Sequence, residues 1–102
     1  MEKAVYVVIR RDLKMRRGKE IAQGVHAVSK LGYVEGAPLV VLQVADGIAL
    51  SGLLTEASQA GVPHAATRDA GRTEVAPGTM TAAAIGPVEK GRLAKLSAAE
   101  LY

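Results

Sequence analysis

Two stretches of this chain hold polar residues at spacings that suit chemistry. The first is Gly18-Lys19-Glu20-Ile21-Ala22-Gln23-Gly24-Val25-His26-Ala27. On a helix, Lys19 and Gln23 share a face, and His26 follows three residues later. A helix start bearing Gly18 and Lys19 offers free N–H groups and an ammonium to an anion. It is not a nucleotide-triphosphate loop. Leu13 stands where the first glycine is needed, Arg16 and Arg17 precede Gly18, and Glu20 replaces the Ser or Thr that would meet Mg²⁺. Taken on spacing alone, the plainer readings prevail. Lys19 and Gln23 would be a solvated helix face, and His26 a half-buried histidine bonded to a backbone carbonyl.

The second stretch runs Arg68-Asp69-Ala70-Gly71-Arg72-Thr73-Glu74-Val75-Ala76-Pro77-Gly78-Thr79-Met80-Thr81. Asp69 falls at the carboxyl end of a short strand, where α/β sheets place their sites. A turn with Asp69 bonding backbone amides would explain part of this. Two features go further. Thr73 stands four residues on and can bring a hydroxyl back toward the carboxylate. Thr79 and Thr81 share parity on the next strand and so point to one face. A carboxylate, several hydroxyls and a lysine across a cleft make a hydrolytic site.

The elements that must position these groups follow from periodicity. Residues 3–10 are a continuous apolar, β-branched run, read as a buried strand. A basic loop over 11–17 leads into a helix from Gly18 to about Leu31. On it Ile21, Ala22, Val25 and Val28 recur at helical spacing, and Gly32 ends it. Leu39–Val44 is a second buried strand. Asp46 caps a helix running to Ala60 through Ile48, Leu50, Leu53, Leu54 and Ala57, and Gly61-Val62-Pro63 stops it. His64–Arg68 is a third strand and Thr79–Ile85 a fourth, ended by Gly86-Pro87. The tail is read as two helical stretches, around Glu89–Leu96 and Ala98–Leu101. The order β-α-β-α-β-β-α implies right-handed crossovers between parallel strands and at least one antiparallel strand.

Composition bounds the class. The 102 residues make one domain, with 49% apolar residues but no Phe or Trp, so Ala, Val, Leu and Ile must fill the core. No cysteine is present, which excludes disulfides and thiolate metal sites. The N-terminal apolar run is too short for a signal segment and continues as a strand, so a cytoplasmic protein is expected. The net charge of +3 is unevenly spread. Residues 10–19 carry Arg10, Arg11, Lys14, Arg16, Arg17 and Lys19 against Asp12 alone, while the remainder is net negative. Such a loop can contact a phosphate backbone, because each neutralised phosphate releases counterions. It can equally be a solvated loop.

Together the two polar stretches closely resemble the second-type peptidyl-tRNA hydrolase family of archaea and eukaryotes. Its pattern G-K-x-x-A-Q-x-x-H-A is met by Gly18 to Ala27. Its second signature, R-D-A-G-x-T, then a Pro-Gly-Thr-x-Thr strand, then I-G-P, is met by Arg68 to Thr73, Pro77 to Thr81 and Ile85 to Pro87. The resemblance implies a three-layer α/β/α sandwich with a four-stranded mixed β-sheet. It implies cofactor- and metal-independent hydrolysis of the ester joining a peptide to the 3′ ribose of tRNA. Its active-site residues map onto Lys19, Gln23, Asp69, Thr73 and Thr81. Arg16, Arg17 and Arg72, with Gln23, are then candidate substrate contacts. The family often appears as a homodimer. This chain departs from the pattern between the first helix and second strand. There the family usually has a longer, often aromatic and basic segment, and here only Gly32 to Pro38 stands.

Ester hydrolysis needs a nucleophile, oxyanion stabilisation and a protonated leaving group. Ser29, Ser51, Ser58 and Ser97 lie outside both clusters, which argues against a Ser-His-Asp triad. Water is then the nucleophile, oriented by Asp69 directly or through Thr73. Lys19 and backbone amides would offset the developing charge, and Gln23 and Thr81 would orient the substrate. The rivals are a non-catalytic RNA- or protein-binding module on the same fold, and a small esterase acting on a substrate without RNA.

Overall fold

The computed structural model describes residues 2–33, 35–70 and 76–102. Strand β1 (Ala4–Arg10) is followed by helix α1 (Arg17–Leu31), strand β2 (Leu39–Val44), helix α2 (Gly47–Gln59) and strand β3 (His64–Arg68). Strand β4 (Met80–Val88) comes next. A 3₁₀ turn (Lys90–Arg92), helix α3 (Ala94–Ala98) and the two-residue strand β5 (Glu100–Leu101) complete the chain.

The sheet order is β3-β4-β1-β2-β5. β1 and β2 pair in parallel, as a right-handed β-α-β unit requires. β4 runs antiparallel to both β1 and β3, and β5 antiparallel to β2. The sheet therefore has five strands, not four. The fifth arises because the end of the chain, read as helical from its Ala and Leu content, instead pairs with the free edge of β2. Leu101 lies opposite Leu42 and Glu100 opposite Gln43.

Alternation along β1 divides the core in two. Ala4, Tyr6 and Val8 join Leu42, Leu50, Leu53, Ile85 and Leu96 in the larger cluster, under α2 and α3. Val7 and Ile9 point the other way and pack with Ala82 and Val28, under α1. Helices thus cover opposite faces of the sheet.

Local signals explain most boundaries. The Asp46 carboxylate accepts from the Ala49 N–H at 2.8 Å, capping α2. Gly32 ends α1 in the left-handed region at φ 79°. Gly86-Pro87 does not end β4, which continues to Val88. Instead the register against β1 shifts there, between the pairs Tyr6–Ile85 and Ala4–Val88. Gly86 sits at φ 126°, and a Cβ on it would lie 2.6 Å from the Ala4 carbonyl oxygen. Only glycine allows so close a strand approach, so the pair marks a bulge within a strand.

Candidate active site

The site lies where β1 and β3 end, β4 begins and α1 starts. Three features of the chain converge there. The basic loop after β1 delivers the first turn of α1. The carboxyl end of β3 delivers Asp69. The first residues of β4 deliver Thr81.

Four of the side chains singled out from sequence meet in one network. Lys19 Nζ lies 2.6 Å from Asp69 Oδ1. Gln23 Nε2 donates to the same Oδ1 at 3.3 Å. Thr81 Oγ1 donates to Gln23 Oε1 at 3.0 Å. Thr81 is fully buried, and Gln23 and Asp69 nearly so. The carboxylate accepts only, so it draws the amide nitrogen of Gln23 toward itself and turns Oε1 toward the hydroxyl of Thr81. Hydrogen-bond polarity therefore runs one way, from Thr81 through Gln23 to Asp69, with Lys19 completing the charge balance.

The backbone fixes this arrangement. The Asp69 N–H donates to the Thr79 carbonyl at 2.8 Å, and the Gly78 N–H donates to the Asp69 carbonyl at 2.8 Å. These two bonds close the base of the loop between β3 and β4, so the carboxylate is aimed from a pinned backbone. The Thr67 hydroxyl, one strand position before Arg68, donates to the Gln23 carbonyl at 3.2 Å and ties α1 to β3.

The face of α1 that reaches this site is the polar one. Glu20, Gln23, Gly24 and Ala27 are its buried residues, while Ile21, Ala22 and Val25 are exposed. This reverses the expected orientation, in which Ile21, Ala22 and Val25 would seek the core. Gly24 and Ala27 let the helix approach the sheet. A Cβ on Gly24 would meet Val7 Cγ1 at 3.0 Å and Ile9 Cδ1 at 3.3 Å. His26, expected to be half-buried, is exposed.

Arg16 and Arg17 stand exposed at the start of α1, beside Lys19. Arg72 and Thr73 lie outside the described residues, so their candidate contacts have no geometry here. Among the described residues no group of three or more His, Asp or Glu side chains gathers to hold a metal ion.

A second polar cluster was missed in the sequence. Glu20 is nearly buried, and its carboxylate takes Arg11 Nε at 3.0 Å and the Tyr102 hydroxyl. The Arg11 guanidinium also lies over the Tyr102 ring, 4.9 Å from its centroid. The phenol's hydrogen bond to Glu20 raises the Tyr102 pKa, because losing its proton would set two anions together. This cluster fastens the basic loop and the end of the chain to the first turn of α1. The available signal was the stripe 20, 23, 24 and 27, an i, i+3, i+4, i+7 pattern that places Glu20 on the inward face.

Comparison with known proteins shows the family of the chain. The family model described as Peptidyl-tRNA hydrolase PTH2 matches residues 33–99. A peptidyl-tRNA hydrolase of Methanocaldococcus jannaschii is 36% identical over 105 residues, covering 89% of this chain and 91% of that protein. One from Haloquadratum walsbyi is 40% identical over 94 residues, covering 79% of this chain and 82% of its own length. The Bos taurus protein named peptidyl-tRNA hydrolase 2, mitochondrial, is 38% identical over 84% of this chain and 56% of its own length. The chain carrying the Lys19–Asp69–Gln23–Thr81 network belongs to the peptidyl-tRNA hydrolase family.

Proposed function

We propose that this chain hydrolyses the ester bond of peptidyl-tRNA, releasing peptide and free tRNA, with Asp69 orienting the attacking water. The observation that carries this reading is the Lys19–Asp69 pair at 2.6 Å, braced by Gln23 and Thr81 and set beside a basic loop. Lys19 and Gln23 hold the same carboxylate oxygen from two sides, so Asp69 presents one fixed orientation to a water.

In this reading the water oxygen attacks the ester carbonyl, and a tetrahedral oxyanion forms. The Lys19 ammonium offsets that charge. The water's proton passes toward the departing 3′ ribose oxygen as the carbon–oxygen bond breaks. Asp69 is held by Lys19 and Gln23 on one oxygen, an arrangement that suits positioning of the water more than strong base catalysis. Gln23 and Thr81 order the site. A relay through the Thr73 hydroxyl and a substrate contact from Arg72 are part of the proposal. Arg16 and Arg17 take phosphates near the acceptor end. The proposal also takes the helices on opposite sheet faces as the family's three-layer frame, and the cytoplasm as the compartment.

The test is release of N-acyl amino acid from N-acyl-aminoacyl-tRNA, with and without excess deacylated tRNA. A short N-acyl amino ester lacking RNA runs in parallel. Turnover of the RNA substrate, competed by deacylated tRNA and far exceeding that of the short ester, is expected. No release at all would leave a binding module. Equal, salt-independent turnover of the short ester would make it a general small esterase.

A further inference from the structure

Thr81 reaches Gln23 because β4 is irregular at that point. Along β4, Ala82 packs under α1, and Ala83 and Ile85 join the cluster under α2. Strict alternation would therefore turn Thr81 toward α2 and Met80 toward α1. The reverse is found. The Thr81 hydroxyl bonds Gln23 of α1, while Met80 packs with the cluster under α2. The pairing with β3 gives the reason. Thr67 lies opposite Ala82 and Arg68 opposite Met80, which leaves Thr81 as the extra residue of a bulge.

Arg10 grips this bulge from the opposite face. It shares the strand parity of Tyr6 and Val8, so its side chain lies on the α2 side. The ladder between β1 and β4 runs to the pair Ile9–Ala82. One residue further along β1, Arg10 Nη1 donates to the Met80 carbonyl at 3.1 Å. A fork to Asp12, Nε to Oδ1 at 2.9 Å and Nη2 to Oδ2 at 2.8 Å, fixes the plane of the guanidinium. Gly47, the first residue of α2, makes room for it. A Cβ there would lie 2.8 Å from Nη1. The Arg10 side chain keeps only 16% of its surface. Within the basic loop it is turned inward, with its charge matched by Asp12.

We propose that Arg10 is a positioning residue for the hydrolysis, holding the Met80 carbonyl so that the bulge aims Thr81 at Gln23. The proposal rests on the hydrolytic reading of the site. Its effect passes through bonds of the network. The Met80 carbonyl belongs to the peptide group that leads into Thr81. Thr81 turns the Gln23 amide, and Gln23 with Lys19 holds the Asp69 carboxylate. One residue before Met80, the Thr79 carbonyl accepts from the Asp69 N–H. Both routes to Asp69 leave from the stretch of β4 that Arg10 grips. Arg10 acts through these groups and not on the ester.

Two variants of the full chain test this. Arg10→Met keeps the stem and removes the fork. Gly47→Ala keeps the charge but drives a Cβ against Nη1, although alanine is otherwise the better helix former. With N-acyl-aminoacyl-tRNA, Arg10→Met should lower kcat about 10-fold or more and Gly47→Ala roughly several-fold, since misplacing a reacting group by about 1 Å costs on the order of 100-fold. KM and its salt dependence should keep their wild-type values in both. In a Thr81→Ala background, Arg10→Met should lower kcat no further, because the two residues act along one route. A raised KM with a flatter salt slope and unchanged kcat would overturn the proposal and make Arg10 a phosphate contact. Full additivity with Thr81→Ala would overturn it too. A wild type that releases nothing would refute the hydrolysis, and the NMR resonances of the Gln23 side-chain amide in the free chain would then decide on Arg10. Resonances shifted in both variants would keep its hold on the network, and unshifted ones would overturn it. If circular dichroism shows Arg10→Met unfolded, Gly47→Ala decides.

Discussion

At the residue scale, each described group of the candidate site has its partner chosen by chemistry as well as by place. Asp69 can only accept, Lys19 can only donate, and the amide of Gln23 can do both. That order makes Thr81, Gln23 and Asp69 a directed chain. The second cluster works likewise, with Glu20 accepting from Arg11 and Tyr102. It carries a pH consequence. The Tyr102 pKa is raised above 10.0 in the folded chain, chiefly by its hydrogen bond to Glu20. A raised pKa means that the folded state favours the protonated phenol. The contribution is then complete below the unfolded value and lost as pH rises through the folded one. Thermal melts between pH 8 and 12 should show Tyr102→Phe less stable than the wild type below pH 10, with the gap closing above it. A gap that stays constant across that range would rule out the phenol as its source. The four residues of the network were legible as candidates because their types and order match a family signature. Glu20, Thr67 and Tyr102 were not, since their partners lie 82 residues apart in one case and 44 in another. Periodicity reaches only one element at a time.

At the element scale, α1 does two jobs that its sequence pattern sets against each other. Its inward stripe is Glu20, Gln23, Gly24 and Ala27, and its large apolar residues Ile21 and Val25 lie outward. A strand or helix is usually oriented by its apolar residues, which is why the opposite orientation was expected here. What reverses it is the close approach at Gly24, which only a small residue permits, together with the bonds that Gln23 and Lys19 make across to Asp69. Gly24→Val should therefore push α1 off Val7 and Ile9. A stability loss of about 1–3 kcal/mol is expected from overpacking, with kcat falling more than KM changes, because Gln23 moves with the helix. Denaturant melts and steady-state kinetics read both, and an unchanged kcat would show that the helix position does not set the site. Helix α2 was legible down to its Asp46 cap. The tail was not. A five-residue helix and a two-residue strand carry too few residues for either period to register, and β5 exists only because β2 offers it an edge.

For the whole molecule, charge is divided in a way that fits the substrate. The basic loop sits at the same end of the sheet as Lys19 and Asp69, so the positive potential it creates surrounds the proposed site of reaction. Arg16→Ala with Arg17→Ala should raise KM and flatten its dependence on salt by roughly one to two units of log–log slope, with kcat largely kept. KM measured from 50 to 300 mM salt checks this, and an unaltered slope would remove both arginines from substrate binding. The mixed sheet was legible in four of its strands and in their crossovers, from continuous apolar runs separated by helical periods, and its fifth strand was not. The exposure of Ile21, Val25, Leu39 and Val41 was not, since it depends on how α1 and β2 pack in three dimensions.

The measurement that bears most directly on the account is single-turnover hydrolysis of N-acyl-aminoacyl-tRNA by Asp69→Ala at saturating enzyme. Saturation removes any effect on binding, so the rate reports the chemical step alone. If Asp69 orients the attacking water, the rate should fall by about 100-fold or more, the usual scale for losing a positioned group of this kind, while tRNA affinity stays within a few-fold. A rate within a few-fold of the wild type, in a variant shown to be folded, would contradict the account.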